Sequence, residues 1–215
     1  MIKGVFFDLD GTLINSMHSH YIGWKTVLND HKIKLRKIDF FLDEGTKLQS
    51  LLVKIFKKNN IEIDDILIEK LIKKKNTHYL KNYKLNFYPG VLSLINFLFT
   101  KKIYLSIVTA GTKDRVNNSL PKRFLQKFNA IITGDDYANG KPYPDPYLKA
   151  LKLSKLKPYE CLVYENAPLG IISAKRAKIK TVPITNTLNN SYFGNSDFIV
   201  NSANDFKKII NNINK

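Results

Sequence analysis

The stretch Val5-Phe6-Phe7-Asp8-Leu9-Asp10-Gly11-Thr12-Leu13 places two carboxylates two residues apart at the end of an apolar run of strand type. Side chains i and i+2 of a strand share a side, but here the strand is ending, because Gly11-Thr12 turns the chain. The carboxylates of Asp8 and Asp10 therefore splay around a carboxyl strand end, where open parallel sheets hold their ligands. Two acids this close repel unless a cation or a proton lies between them. The spacing predicts a Mg²⁺ site at which one carboxylate is free to attack and the other to move a proton. The plain alternative is a strand followed by an Asx-Gly turn; Phe-Phe before the pair and Gly-Thr-Leu after it favour the first reading.

Three later segments offer groups that suit such a site. In Ile107-Val108-Thr109-Ala110-Gly111-Thr112, a hydroxyl closes a strand and turn N–H groups follow, an arrangement that can cradle phosphate oxygens. In Gly140-Lys141-Pro142-Tyr143-Pro144-Asp145-Pro146, Lys141 lies between Gly and Pro, in a rigid loop. A fixed ammonium there can neutralise both Asp8 and a transferring phosphoryl group, and Asp145 is expected to cap the next helix. In Val163-Tyr164-Glu165-Asn166-Ala167-Pro168-Leu169-Gly170, polar residues follow a strand and precede a helix that starts with Pro. Glu165 and Asn166 are both candidate metal ligands, the amide offering an oxygen without charge.

These four segments, in this order, resemble the four motifs of the haloacid dehalogenase superfamily, most of whose members are Mg²⁺-dependent phosphatases. The resemblance runs over nearly the whole chain. It implies that Asp8 is a nucleophile that forms an aspartyl-phosphate, and that Asp10 is general acid and then general base. It further implies that the Asp10 backbone carbonyl binds metal, that Thr109 and Lys141 are catalytic, and that Gly11, Thr12, Ala110 and Gly111 bind the phosphate. The usual fourth motif has two acids; this chain has Glu165 followed by Asn166.

The elements that position these residues follow from periodicity. After the first strand come three helical stretches, about 16–31, 44–58 and 64–83, with apolar residues at helical spacing and acidic capping candidates at Glu62 to Asp65. Beyond the Tyr88-Pro89-Gly90 turn, helices alternate with strands near 104–108, 130–133, 161–164, 181–184 and 198–200, and a last helix spans about 203–213. Such alternation implies right-handed crossovers and a parallel sheet covered by helices on both faces. The expected architecture is α/β: a Rossmann-like doubly wound core, residues 1–15 and 87–215, interrupted by a helical cap, residues 16–86. The insertion emerges beside Asp8 and Asp10, so it can exclude water from them.

Within the cap, His20-x-x-x-Trp24 and Lys75-Asn76-x-x-Tyr79 resemble the β-phosphoglucomutase-like branch of the superfamily. That implies that these residues link cap closure to catalysis and bind sugar phosphate. Gly45 and the cations Lys47 and Lys75 are further substrate-binding candidates, either lysine suiting a distal anionic group. A phosphatase for a small phosphate monoester and a sugar-phosphate mutase both remain open, with a basic binding protein on the same scaffold as a reading from another class. The product separates the first two: free phosphate or an isomerised sugar phosphate.

Composition bounds the rest. The 215 residues are 44% hydrophobic, enough for a real core, and the formal net charge is +17. The excess is nearly all lysine, the arginines being Arg36, Arg115, Arg123 and Arg176. Readers of bases and phosphates favour arginine, so a nucleic-acid partner is not expected. The charge can still draw in anionic esters. With no long apolar run, no membrane span is expected. The single cysteine, Cys161, fits a reducing, cytoplasmic setting, and a monomer is the default expectation.

Overall fold

In the computed structural model, which describes residues 1–194, 196 and 198–214, five parallel strands form one sheet in the order β3-β2-β1-β4-β5. The strands are β1 (Gly4–Phe7), β2 (Tyr104–Val108), β3 (Ala130–Ile132), β4 (Cys161–Glu165) and β5 (Lys180–Pro183). Strand β1 is central: Phe7 lies in register with Ile107 on one side and Tyr164 on the other. Its four residues are all buried, as both-face burial in a parallel sheet requires. Alternation sends Phe7 into a core with Leu105, Tyr164 and Phe206, while Phe6 joins Val163, Tyr147 and Ala174 on the opposite face. The first face is covered by α5 (Val91–Thr100) and α10 (Ala203–Ile213), the second by α8 (Asp145–Ser154) and α9 (Pro168–Arg176).

Between β1 and α5 lie α1 (Met17–Asn29), α2 (Lys37–Leu42), α3 (Leu48–Lys58) and α4 (Asp65–Asn82). Their apolar faces share a second core around Trp24, Leu28, Phe56 and Leu71, which extends to Ile171 and Leu188 of the sheet side. Asp64 caps α4 by accepting the Leu67 N–H at 2.7 Å.

Several expected elements differ. The short helix α2 falls in a stretch, residues 37–42, for which periodicity predicts no element. Helix α3 begins at Leu48, leaving Glu44 to Lys47 as a loop. Residues 198–200 form no strand; one isolated bridge joins Ile184 to Val200. Asp145 does not cap α8; its carboxylate instead accepts from the Asn139 backbone and side-chain amides. A short helix pair, α6 (Lys113–Ser119) and α7 (Lys122–Leu125), connects β2 to β3.

Candidate active site

The carboxyl ends of β1, β2 and β4 bring the four segments together. Asp8 follows β1 directly and is 3% exposed. Lys141, from the loop before α8, donates to Asp8 Oδ1 at 2.7 Å, to Glu165 Oε1 at 2.6 Å and to the Val108 carbonyl at 3.3 Å. Three acceptors surround the ammonium. Burial alone would lower its pKa, but Asp8 and Glu165 outweigh burial and hold it well above its ordinary value. The other oxygen of Asp8, Oδ2, is buried and has no partner. Burial, and then the Glu165 carboxylate, push Asp8 up to about 8 against the pull of Lys141.

Asp10 has the opposite surroundings. Arg115 of α6 grips it with both terminal nitrogens, at 3.0 Å on Oδ1 and 2.5 Å on Oδ2. Ser16 donates to Oδ1 at 2.6 Å, and His20 Nε2 lies 2.9 Å from it. Burial pushes Asp10 up, but Arg115 and His20 prevail and hold it well below the usual carboxylate range. His20 in turn meets the Lys75 ammonium at 2.8 Å through Nδ1 and stacks on Tyr79 with centroids 4.0 Å apart. An ammonium on one side and a carboxylate on the other fix the tautomer: Nδ1 accepts and Nε2–H donates. Burial and then Lys75 press His20 down to about 3; burial and then Arg115 press Lys75 down to about 7.

Thr109 closes β2 as expected. Its Oγ1 accepts the Gly111 N–H at 3.1 Å and lies 3.5 Å from Asp10 Oδ2. Asp8, Asp10, His20, Gly45, Lys75, Thr109, Ala110, Gly111 and Arg115 line one pocket, walled on the helical side by Trp24, Phe40, Leu48 and Leu51. Other expected site residues lie elsewhere. Lys47, expected to meet a distal anion, donates instead to the Tyr137 and Ala138 carbonyls at 3.0 and 3.3 Å. Gly11 adopts φ +85°, and a Cβ there would fall 2.2 Å from Asn166 Nδ2. Thr12 is fully buried and donates to Asn166 Oδ1 at 2.8 Å. Both thus support the fourth segment and are absent from the pocket wall.

Glu165 ends β4 with both oxygens engaged, Oε1 by Lys141 and Oε2 by the Asn166 and Ala167 N–H groups at 2.7 and 3.1 Å. Asn166 Nδ2 donates to Glu44 Oε2 at 2.7 Å and to Thr187 Oγ1 at 2.9 Å. Glu44 Oε1, like Asp8 Oδ2, is buried without a partner. Among the described residues no three His, Cys, Asp or Glu side chains group as a metal cage by themselves. A cation here would thus draw on an amide or carbonyl as well as carboxylates, as hard divalent ions readily do. The two orphaned carboxylate oxygens fit that requirement.

Gly170, in the first turn of α9, leaves room for Glu165: an added Cβ would lie 1.5 Å from Oε1. Gly170→Ala should lower stability by about 1–3 kcal/mol, since Glu165 is fixed from both ends and cannot yield. Chemical denaturation checks this; an unchanged midpoint would show that Glu165 has freedom to move.

Sequence reasoning missed Arg115, Glu44 and Ser16. Arg115 did carry a signal, as one of four arginines in a lysine-rich chain, placed just after the second segment. Gly111 accommodates it, for a Cβ at 111 would meet the guanidinium at 1.9 Å.

Known proteins resemble this chain over most of its length. The chain is 29% identical to validoxylamine A 7'-phosphate phosphatase of Streptomyces hygroscopicus subsp. limoneus over 190 residues, 87% of each chain. It is 25% identical to hexitol phosphatase A of Escherichia coli, over 93% of this chain and 91% of that one. A hydrolase from Pseudomonas syringae superposes with a TM-score of 0.88 at 25% identity, covering 98% of this chain and 99% of that one. A candidate β-phosphoglucomutase from Bacteroides vulgatus superposes with a TM-score of 0.88 at 28% identity, over 99% and 89%. The sequence profile of haloacid dehalogenase-like hydrolases matches residues 5–184, so this chain belongs to that family of enzymes.

Proposed function

We propose that this enzyme is a Mg²⁺-dependent phosphatase that hydrolyses a small phosphate monoester through an aspartyl-phosphate at Asp8. The observation that carries this reading is the state of Asp8: one oxygen is fixed by Lys141 and the other is unpartnered at the tip of β1. That second oxygen is the nucleophile. It attacks phosphorus in line as the ester oxygen departs, and Lys141 stays beside the developing acyl-phosphate. Asp10 protonates the departing alcohol. It then takes a proton from the water that attacks the phosphorus of the aspartyl-phosphate, which frees phosphate and restores Asp8. Thr109 and the turn N–H of Ala110 hold the phosphoryl oxygens, while the Gly111 N–H fixes Thr109 by donating to its Oγ1. Asp8, the Asp10 carbonyl, Asn166 and Glu165 are the proposed metal ligands. Mg²⁺, when bound, supplies the positive charge that lets a carboxylate approach a phosphate.

Residues 16–86 act in this reading as a cap over the core of residues 1–15 and 87–215. The cap residues His20 and Lys75 carry its position to Asp10 through the hydrogen-bonded chain Lys75–His20–Asp10. The relatives named for hexitol and validoxylamine phosphates, with the mixed apolar and polar pocket wall, favour a phosphorylated polyol or sugar as substrate. Among the described residues no helix is long and apolar enough to cross a membrane. A screen of phosphate release from sugar and polyol phosphates, with Mg²⁺ and with chelator, tests this function. Release that depends on Mg²⁺ supports it; isomerised sugar phosphate without release would assign a mutase instead.

The pKa of Asp8 gives a pH prediction. Its folded value, about 8, lies above its ordinary 3.8, so between those values the folded chain holds a proton that the unfolded chain has released. The stability linked to that proton is present at low pH and is lost as pH rises through this window. A bound divalent cation replaces the proton. Melting curves in chelator and in Mg²⁺ should therefore diverge as pH rises from 5 to 8. Curves that stay parallel would show that no cation answers the buried acids.

A further inference from the structure

Glu44 is an acid in the wrong surroundings for a structural one. It is 9% exposed, yet among the described residues no lysine, arginine or histidine pairs with it. Oε2 accepts from Asn166, and Oε1 has no partner. The charges that bear on it most are those of Asp8, Glu165 and Asp10, all negative. Burying an unpaired carboxylate among carboxylates costs stability unless a cation joins them.

The loop that carries Glu44 is closely fitted. Gly45, at φ +85°, lets the backbone lie against Lys141, whose Cδ would be 2.6 Å from an added Cβ. Gly140 likewise abuts the Lys47 backbone, with 2.7 Å between its would-be Cβ and the Lys47 nitrogen. Glu44 is thus held beside the acidic cluster by backbone contacts on its C-terminal side, and it is not a long side chain that happened to reach in.

Charge accounts for its presence. Asp10 is matched by Arg115. Once a cation has displaced their protons, Asp8, Glu165 and Glu44 face the ammonium of Lys141, which leaves two negative charges to match, the charge of one divalent cation. With an Asp at 166 and no Glu44, the balance would be the same. We infer that Glu44, through its free Oε1, supplies the second carboxylate of the cation site in place of the acid that the Glu165-Asn166 pair lacks. Because Glu44 belongs to the helical insertion, cation affinity then depends on how that insertion is seated. This inference rests on the Mg²⁺ site proposed above.

The test is direct binding of Mg²⁺ to the whole protein by titration calorimetry, without substrate. Glu44→Gln should weaken binding by about 10–100-fold. Adding Asn166→Asp to Glu44→Gln should restore it to near the wild-type level, because the carboxylate returns from the other side of the same hydrogen bond. Asn166→Asp alone, which leaves Glu44 in place, should bind more tightly than wild type. Glu44→Gln binding Mg²⁺ as wild type does, or the double variant binding no better than Glu44→Gln, would overturn the role of Glu44 alone. A wild-type protein that takes up no Mg²⁺ would overturn the metal site itself, and this inference with it.

Discussion

Asp8→Asn is expected to abolish phosphate release while leaving the fold unchanged. The replacement is isosteric, and its amide oxygen can still accept from Lys141, so the contact at 2.7 Å survives. What is lost is the charged, unpartnered oxygen that makes the covalent bond. Loss of a covalent nucleophile removes the route itself, and the expected fall in kcat is about 10⁴-fold or more. Stability should hold or rise in chelator, because one buried charge has gone from a cluster with an excess of acids. Steady-state assays and melting curves check both halves. Substantial Mg²⁺-dependent turnover by Asp8→Asn would remove Asp8 from the nucleophile role.

Asp10→Asn should cost about 10²–10⁴-fold in kcat, the usual worth of a positioned proton donor and acceptor. Asp10 sits under four donor groups, from Arg115, Ser16 and His20. An amide must turn its own N–H₂ toward one of them, so the clamp loosens as well. The leaving group separates the chemical effect from that structural one. Nitrophenolate departs without a proton, whereas an alkoxide does not. In pre-steady-state measurements, the phosphorylation step of Asp10→Asn should therefore be much less impaired with nitrophenyl phosphate than with a sugar phosphate. Equal impairment with both would mean that Asp10 does not donate the proton.

The clamp also bears on the order of events. Arg115 and His20 favour the ionised form of Asp10, which suits its role as base toward water. As the acid it must first take up a proton, and a weaker grip by Arg115 favours that uptake. Arg115→Lys keeps the charge but not the planar fork, and is expected to raise turnover of good leaving groups relative to poor ones less than Asp10→Asn does.

Much of this was legible in the sequence because the chemistry is local. Asp8, Asp10, Thr109 and Glu165 each end or follow a strand, and parallel strands bring such ends to one edge, where the Gly-Lys-Pro loop before α8 delivers Lys141. Apolar runs, Pro-Gly turns and helical periodicity sufficed for β1 and for the helices α1, α4 and α5. The misses have a common physical cause. Arg115 and Glu44 act from a helix interior and an irregular loop, and their partners lie 105 and 122 residues away in sequence. No periodicity marks such pairs. Charge alone suits either Lys47 or Lys75 to a distal anion; packing buries Lys75 against His20 and directs Lys47 to two carbonyls. Residues 198–200 have strand composition, but one bridge to Ile184 is all the sheet edge accepts there.

Covalent phosphorylation of Asp8 during turnover is the step on which every other role assigned here depends. Acid-quenched enzyme, sampled during hydrolysis of a labelled phosphate ester in Mg²⁺ and digested to peptides, tests it most directly. Label is expected on the peptide that contains Asp8, formed no later than the first release of phosphate and absent from Asp8→Asn. Phosphate released in the first turnover with no labelled peptide, or label on a peptide lacking Asp8, would contradict it.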